Sequence, residues 1–210
     1  MIFGDSTLQG FAPLAQEKIP LFPLSTVLFP DGPLPLRVFE PRYLDMLSHC
    51  MKSGSDFGVV MLRSGLETGE AGTATVGTRA RVVDWYQGSD GILGITAVGG
   101  ERFSLQATSR QPDGLYVGEV VTQEAEPSCA LPDEYQAMAA LLEVIVDDLG
   151  KLYESLNKQY DDATWVGCRF AEILPISLED KQQCLEMNDA VERLRFIRPQ
   201  LQSIRQEVSQ

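Results

Sequence analysis

Residues 20 to 43, PLFPLSTVLFPDGPLPLRVFEPRY, set six prolines among bulky apolar residues. Proline lacks an amide proton and fixes φ, so it interrupts helices and cannot join a doubly paired strand. Yet Val27, Leu28, Phe29, Leu34, Leu36, Val38 and Phe39 are residue types that a core takes in. The chain must therefore bury a segment that can be neither a regular helix nor the middle of a flat sheet.

The surrounding pattern is β. From Ile19 to about Glu124, short apolar runs alternate with glycine-rich turns. FGVVML (57–62) reads as a strand buried on both faces. TVGTRARVVDW (75–85) alternates in part and leads to a turn at GSDG, 88–91. GILGITAV (91–98) is the next strand, and Gly99-Gly100 is expected to break the chain before RFSLQAT (102–108). PDG at 112–114 turns the chain into LYVGEVV, 115–121. Regular turns of this kind point to a closed or nearly closed barrel rather than parallel βαβ units. One helix interrupts the set: PRYLDMLSHCMKSG places proline at the first helical position and Gly54 past the end, with Tyr43, Leu44, Leu47 and Met51 on one face.

EAEPSCALPDE (124–134) is a proline-marked joint, and beyond it the period becomes helical. Tyr135, Met138, Leu141, Leu142, Ile145, Leu149 and Leu152 form one stripe. Trp165, Val166, Phe170 and Ile173 form a second, ended by Pro175. Ser177 with Asp180 reads as a capping box, and Val191, Leu194, Ile197, Leu201 and Ile204 make the last stripe. The expectation is a small helical bundle.

Charge narrows the partner classes. The net charge is −13, spread evenly, with −6 over residues 1–126 and −7 over 127–210. A surface that binds phosphate backbones neutralises them with clustered Lys and Arg, so nucleic-acid and anionic-membrane partners are not expected. Cys50, Cys129, Cys168 and Cys184 are widely spaced, with no CxxC pair and one histidine, His49. Reduced structural thiols, no metal, no cofactor and a cytoplasmic location are the reading. No leader pattern opens the chain and no window approaches ~18 uninterrupted apolar residues, so no membrane span is expected.

Catalytic patterns are missing or incomplete. Gly150-Lys151 lacks the upstream glycine of a phosphate loop, and Gly88, Gly91 and Gly94 have the wrong spacing for a dinucleotide turn. His49 and Cys50 are adjacent helix positions that do not face each other. Ser155 and Lys158 match S-x-x-K without its companion elements. Asp147-Asp148 and Asp161-Asp162 read as solvated helix surface. No catalytic residue is expected.

IPLFPLSTVLFPDGPLPLRVFEPRYLDML, then FGVV, VGTRARVVDW, GGERFSL and LPISLEDKQQCLEMNDAVERL, resembles the LON substrate-binding domain, the amino-terminal domain of the ATP-dependent protease La. The resemblance runs from about Ile19 onward. It implies an α+β fold, a PUA-like β pseudo-barrel followed by a C-terminal α-helical bundle. The divisions expected are an N-terminal extension (1–18), a barrel subdomain (19–125) and a helical-bundle subdomain (126–210), together one LON-like domain. Pro20, Pro23, Pro30, Pro33 and Pro35 would then occupy edges and bends where the chain wraps the barrel. Of the motif residues Pro23, Leu24, Phe29, Pro30, Leu36, Arg37, Phe39, Glu40, Arg42 and Tyr43, a structural role is expected, with Arg37, Glu40 and Arg42 fixing the barrel against the helix by local charge contacts. The ATPase and Ser-Lys proteolytic modules of the large family members have no counterpart in these 210 residues. What remains is a non-enzymatic module for protein or unfolded peptide segments, held in an apolar groove between barrel and helices and by edge-strand pairing. The alternatives are a small-molecule binder or hydrolase using His49, and an RNA-binding PUA-like protein. Trp85, Tyr86, Arg102 and Phe103 are candidate partner contacts because aromatics and arginine are enriched at interfaces; the oligomeric state is left open.

Overall fold

A computed structural model describes residues 16–63, 72–154 and 156–208, those beyond 203 as backbone only. Residues 1–15 of the N-terminal extension, Ser155 of the S-x-x-K match and the Ile204 side chain lie outside the described residues. The strands are β1 (Gln16–Leu24), β2 (Pro33–Val38), β3 (Phe57–Met61), β4 (Val76–Gln87), β5 (Leu93–Arg110) and β6 (Tyr116–Thr122). Their order is β2-β5-β4-β3-β1-β6, and β5 also pairs with β6. Five strands thus close on themselves, and β2 lies alongside the first part of β5. Closure removes the open edges that an antiparallel sheet would otherwise leave to solvent.

Two expectations about strand continuity are corrected. Gly99-Gly100 does not end a strand: β5 runs through it for 18 residues, Gly99 still in register with Ala80 of β4. The glycines serve a close approach instead. A Cβ on Gly99 would sit 2.1 Å from the Phe29 carbonyl oxygen, so only a bare backbone lets the 27–32 loop lie against β5. Past this point β5 exchanges β2 for β6 as its neighbour. Second, one pair is parallel, β1 with β3, because β2 and helix α1 (Pro41–Ser53) intervene between them.

The prolines divide into two kinds. Pro33 and Pro35 occupy the edge strand β2, as expected. Gly99 donates to Gly32 O (2.9 Å), which turns the even-numbered residues toward β5 and leaves Pro33, Pro35 and Arg37 on the outer edge. That edge presents one amide proton in three residues and is closed to strand addition. Pro20 and Pro23 lie inside β1, away from any sheet edge. They are tolerated because β1 changes partner midway: Pro20 is matched only with Val117 of β6 and Pro23 only with Val60 of β3.

α1 starts at Pro41 and stops at Gly54, whose φ of 68° is left-handed. Its buried face is Tyr43, Met46, Leu47 and Cys50; Leu44 is half-buried and Met51 exposed. The buried stripe thus runs through Met46 and Cys50 in place of the expected Leu44 and Met51. Tyr43 stacks on Phe22, ring centroids 4.0 Å apart.

The second half is helical: α2 (Gln136–Asp148), α3 (Lys151–Glu154), α4 (Ala163–Ile173), α5 (Leu178–Glu186) and α6 (Ala190–Val208). Gly150, at φ 61°, separates α2 from α3, so the first stripe is broken after Leu149, which is exposed. Ser177 caps α5, its Oγ accepting from Asp180 N at 3.0 Å. Leu142, Val166, Phe170, Leu194 and Ile197 are fully buried among these helices, in one cluster with Phe29 of the barrel loop. No described helix is long and apolar enough to cross a membrane.

Candidate functional site

The junction of barrel and helices encloses a cleft of about 410 Å³. Phe29, Trp165, Cys168, Cys184 and Leu185 give it an apolar floor, while Asp31, Glu101, Glu124 and Ala125 stand at its exposed margin. The barrel wall is the 27–32 loop, pinned from two sides. Thr78 Oγ1 donates to Leu28 O (2.6 Å) and Asp31 N to Gly99 O (2.8 Å), while Arg169 of α4 donates through Nη2 to Pro30 O (2.7 Å). A sequence segment that proline keeps out of regular structure is thereby held rigid by the elements around it.

One polar group joins the two halves at the floor, and two more tie the helical half to itself. Arg102 of β5 is buried and donates to Leu185 O (2.7 Å), Met187 O (2.9 Å) and Asn188 Oδ1 (2.8 Å) at the end of α5. Burial lowers its pKa from the ordinary arginine value, against the pull of Glu126. Arg193 of α6 forks onto Glu126 and also donates to Cys184 O and Met187 O. Asp162 caps α4, accepting from Thr164 N (2.7 Å), Trp165 N (3.0 Å) and the Ser128 hydroxyl. It is buried, which corrects its assignment to solvated helix surface; Asp161, Asp147 and Asp148 are exposed as expected. Sequence patterns missed this set, since an arginine among polar neighbours reads as surface until the carbonyls it serves are located.

The four candidate contacts separate in space. Arg102 lines the cleft but is committed to the α5 carbonyls. Phe103 is fully buried inside the barrel with Ile19, Leu21, Val60 and Val120, and touches no surface; this corrects its reading as a contact. Arg102 and Phe103 are consecutive in unbroken register with Thr78 and Gly77 and face opposite sides of β5; both are enclosed because the barrel interior covers Phe103 and the end of α5 covers Arg102. Trp85 and Tyr86 are exposed on β4, Tyr86 lying across the bare backbone of its cross-strand partner Gly94.

The motif residues also divide. Phe29 and Pro30 belong to the cleft. Pro23, Leu24, Leu36, Arg37, Phe39, Glu40, Arg42 and Tyr43 line a second groove of about 450 Å³ on the barrel and α1. There Glu40 pairs with Arg42, whose Nη1 donates to Gly114 O (3.0 Å), and Arg37 pairs with Asp90 in the β4–β5 turn. Phe39 is 69% exposed. His49 is exposed on α1, while its neighbour Cys50 is buried. Among the described residues no group of three or more His, Cys, Asp or Glu is placed to hold a metal ion.

All four cysteines are free, and two line the cleft. Burial pushes the Cys168 thiol up, and raises Cys184 from 9.0 to about 11. In the unfolded chain the Cys184 thiol ionises first, so between those two values the unfolded state holds fewer protons. Its contribution to stability is complete below pH 9 and is lost as pH climbs toward 11, a fall of about 2 kcal/mol. Urea midpoints measured at pH 8 and pH 10.5 are expected to show that fall, with a shallower slope in Cys184→Ala.

Comparison with known proteins agrees with this architecture. Residues 18–203 match the family described as the ATP-dependent protease La (LON) substrate-binding domain. Lon protease of Xanthomonas oryzae pv. oryzae is 26% identical over 212 residues, covering 93% of this chain and 25% of that protein. Lon protease of Escherichia coli K12 is 24% identical over 194 residues, covering 89% and 25%. The chain thus spans about a quarter of the length of these curated relatives. Among solved structures, a Lon N-terminal domain protein from Xanthomonas campestris superposes with a TM-score of 0.70 and 36% identity, over 85% of this chain and 95% of that one. Fold, closed barrel, helical end and sequence match point the same way: the chain belongs to the LON substrate-binding domain family.

Proposed function

We propose that this protein is a non-enzymatic module that binds unfolded or extended protein segments in the cleft between its barrel and its helices. The observation that carries the reading is the cleft itself: about 410 Å³, apolar at its floor, and walled by both halves of a family whose name is substrate binding. Edge pairing at β2 plays no part, because Pro33 and Pro35 strip its outer edge of donors. Recognition therefore rests on side chains entering the cleft, with the exposed Trp85 and Tyr86 as contacts for a longer occupant.

The chain has two tryptophans, Trp85 and Trp165, and only Trp165 lines the cleft. In a Trp85→Phe protein, titration with a reduced, unfolded polypeptide is expected to change Trp165 emission saturably. Ala125→Phe, which fills the open margin, is expected to weaken binding at least tenfold, the cost of losing one anchoring side chain of about 1.4 kcal/mol or more. Saturable binding that ignores Ala125→Phe would move the site elsewhere, and absence of binding would overturn the reading.

A further inference from the structure

Charge at the cleft is unevenly spent. Five carboxylates and two guanidiniums line it: Asp31, Glu101, Glu124, Glu126 and Asp162 against Arg102 and Arg193. Both guanidiniums are committed, Arg102 to acceptors at the end of α5 and Arg193 to Glu126 and two carbonyls. Glu126 is thereby neutralised, and Asp162 is satisfied by two helix amides and a hydroxyl. Asp31, Glu101 and Glu124 remain exposed, with no ion-pair or hydrogen-bond partner for their carboxylates among the described residues. They come from three separate segments: the 27–32 loop, the part of β5 just after Gly99-Gly100, and the irregular segment following β6. Asp31 is fixed there by its backbone, at φ 58° and with its amide on Gly99 O.

The cleft thus has an apolar floor leading to three uncompensated negative charges. That sequence of surfaces matches a lysine or arginine side chain, whose methylene stem packs on apolar groups while its head stays in a wet, polar margin.

We infer that the cleft selects cationic residues: its occupant is a peptide segment whose lysine or arginine lies along Pro30 and Ala125 and sets its charge among Asp31, Glu101 and Glu124. The inference rests on the peptide-binding reading above and adds the chemistry of the residue bound. A negatively charged segment is rejected at the same place, since it would face three like charges without a counter-ion.

Labelled peptides built of leucine, glycine and serine, identical except for a central lysine, norleucine or glutamate, separate the possibilities by fluorescence anisotropy. The lysine peptide is expected to bind about tenfold tighter than the norleucine peptide, the size of several screened surface charge contacts acting together. The gap is expected to shrink with added salt and to close in Asp31→Asn/Glu101→Gln/Glu124→Gln. These substitutions keep shape, and asparagine tolerates the left-handed backbone at 31. Glu101→Lys, as a second variant, cuts the net charge of the three positions from −3 to −1 and is expected to shrink the lysine preference and its salt dependence. Equal binding of all three peptides would overturn the selectivity and leave peptide binding standing. A lysine preference that survives undiminished in both variants would overturn these carboxylates as its source. No saturable binding by any peptide would overturn both.

Discussion

Replacing Arg193 with methionine is expected to lower the unfolding free energy by about 3–5 kcal/mol, the cost of removing one partner from a buried ion pair. Arg193 is 1% exposed and Glu126, on the segment leaving the barrel, is 8% exposed at its side chain. The guanidinium forks onto both Glu126 oxygens (3.1 and 2.6 Å), gives its Nε–H to Cys184 O (2.8 Å) and a further proton to Met187 O (2.7 Å). One side chain of α6 thus holds the segment leaving the barrel and the end of α5. Methionine fills most of the space but leaves a buried carboxylate without its counter-charge and two carbonyls without a donor. Urea denaturation is the measurement. The double replacement Arg193→Met/Glu126→Met is expected to recover part of the loss, because removing both charges also removes their desolvation. A single-variant loss below about 1 kcal/mol, the range of an exposed pair, would show that the pair is solvated.

Phe103→Ala is expected to cost a similar amount, about 3–5 kcal/mol, through the cavity it opens at the barrel centre. The ring is fully buried, and the chain makes room for it with glycines on the facing strands. A Cβ on Gly58 would come 2.9 Å from the Phe103 Cζ, and one on Gly77 would come 2.6 Å from the same atom. A Cβ on Gly77 would also meet the Val59 carbonyl oxygen at 2.5 Å. Gly58→Ala tests the geometry independently, because all three of its clashes are with side chains: Leu21, Ile19 and Phe103. It is expected to destabilise the wild type, and to do so less in the Phe103→Ala background, a coupling read from a double-mutant cycle of urea midpoints. Additivity of the two changes would mean the ring does not occupy the slot.

Local physics was readable where a residue acts on its own neighbours. Pro41 and Gly54 bound α1, Ser177 caps α5, the first five residues of FGVVML are a fully buried strand, and turn spacing announces a closed barrel. The motif-level resemblance led to the same family that the sequence match identifies. Readings failed where a residue's meaning depends on something distant in the chain. Gly99-Gly100 carries the usual mark of a break, but the Phe29 carbonyl 70 positions away makes it a contact. Pro20 and Pro23 argue for an edge, and only the change of partner along β1 shows why an interior strand accepts them. Arg102 and Phe103 were singled out as surface types, and packing encloses both.

By itself, then, the order of residues determined the β-then-α division, the helix limits and the proline-broken loop, because period, caps and turns are properties of a few adjacent side chains. The tertiary structure alone decided which charges are spent and which are left over. Arg102 meets its acceptors only after barrel and helices dock, Arg193 meets its own only when α5, α6 and the segment at Glu126 come together, and Asp31, Glu101 and Glu124 converge from three segments on one cleft. Whether a charge is satisfied is settled by what lies within about 3 Å of it in space, a relation that the linear sequence does not encode locally.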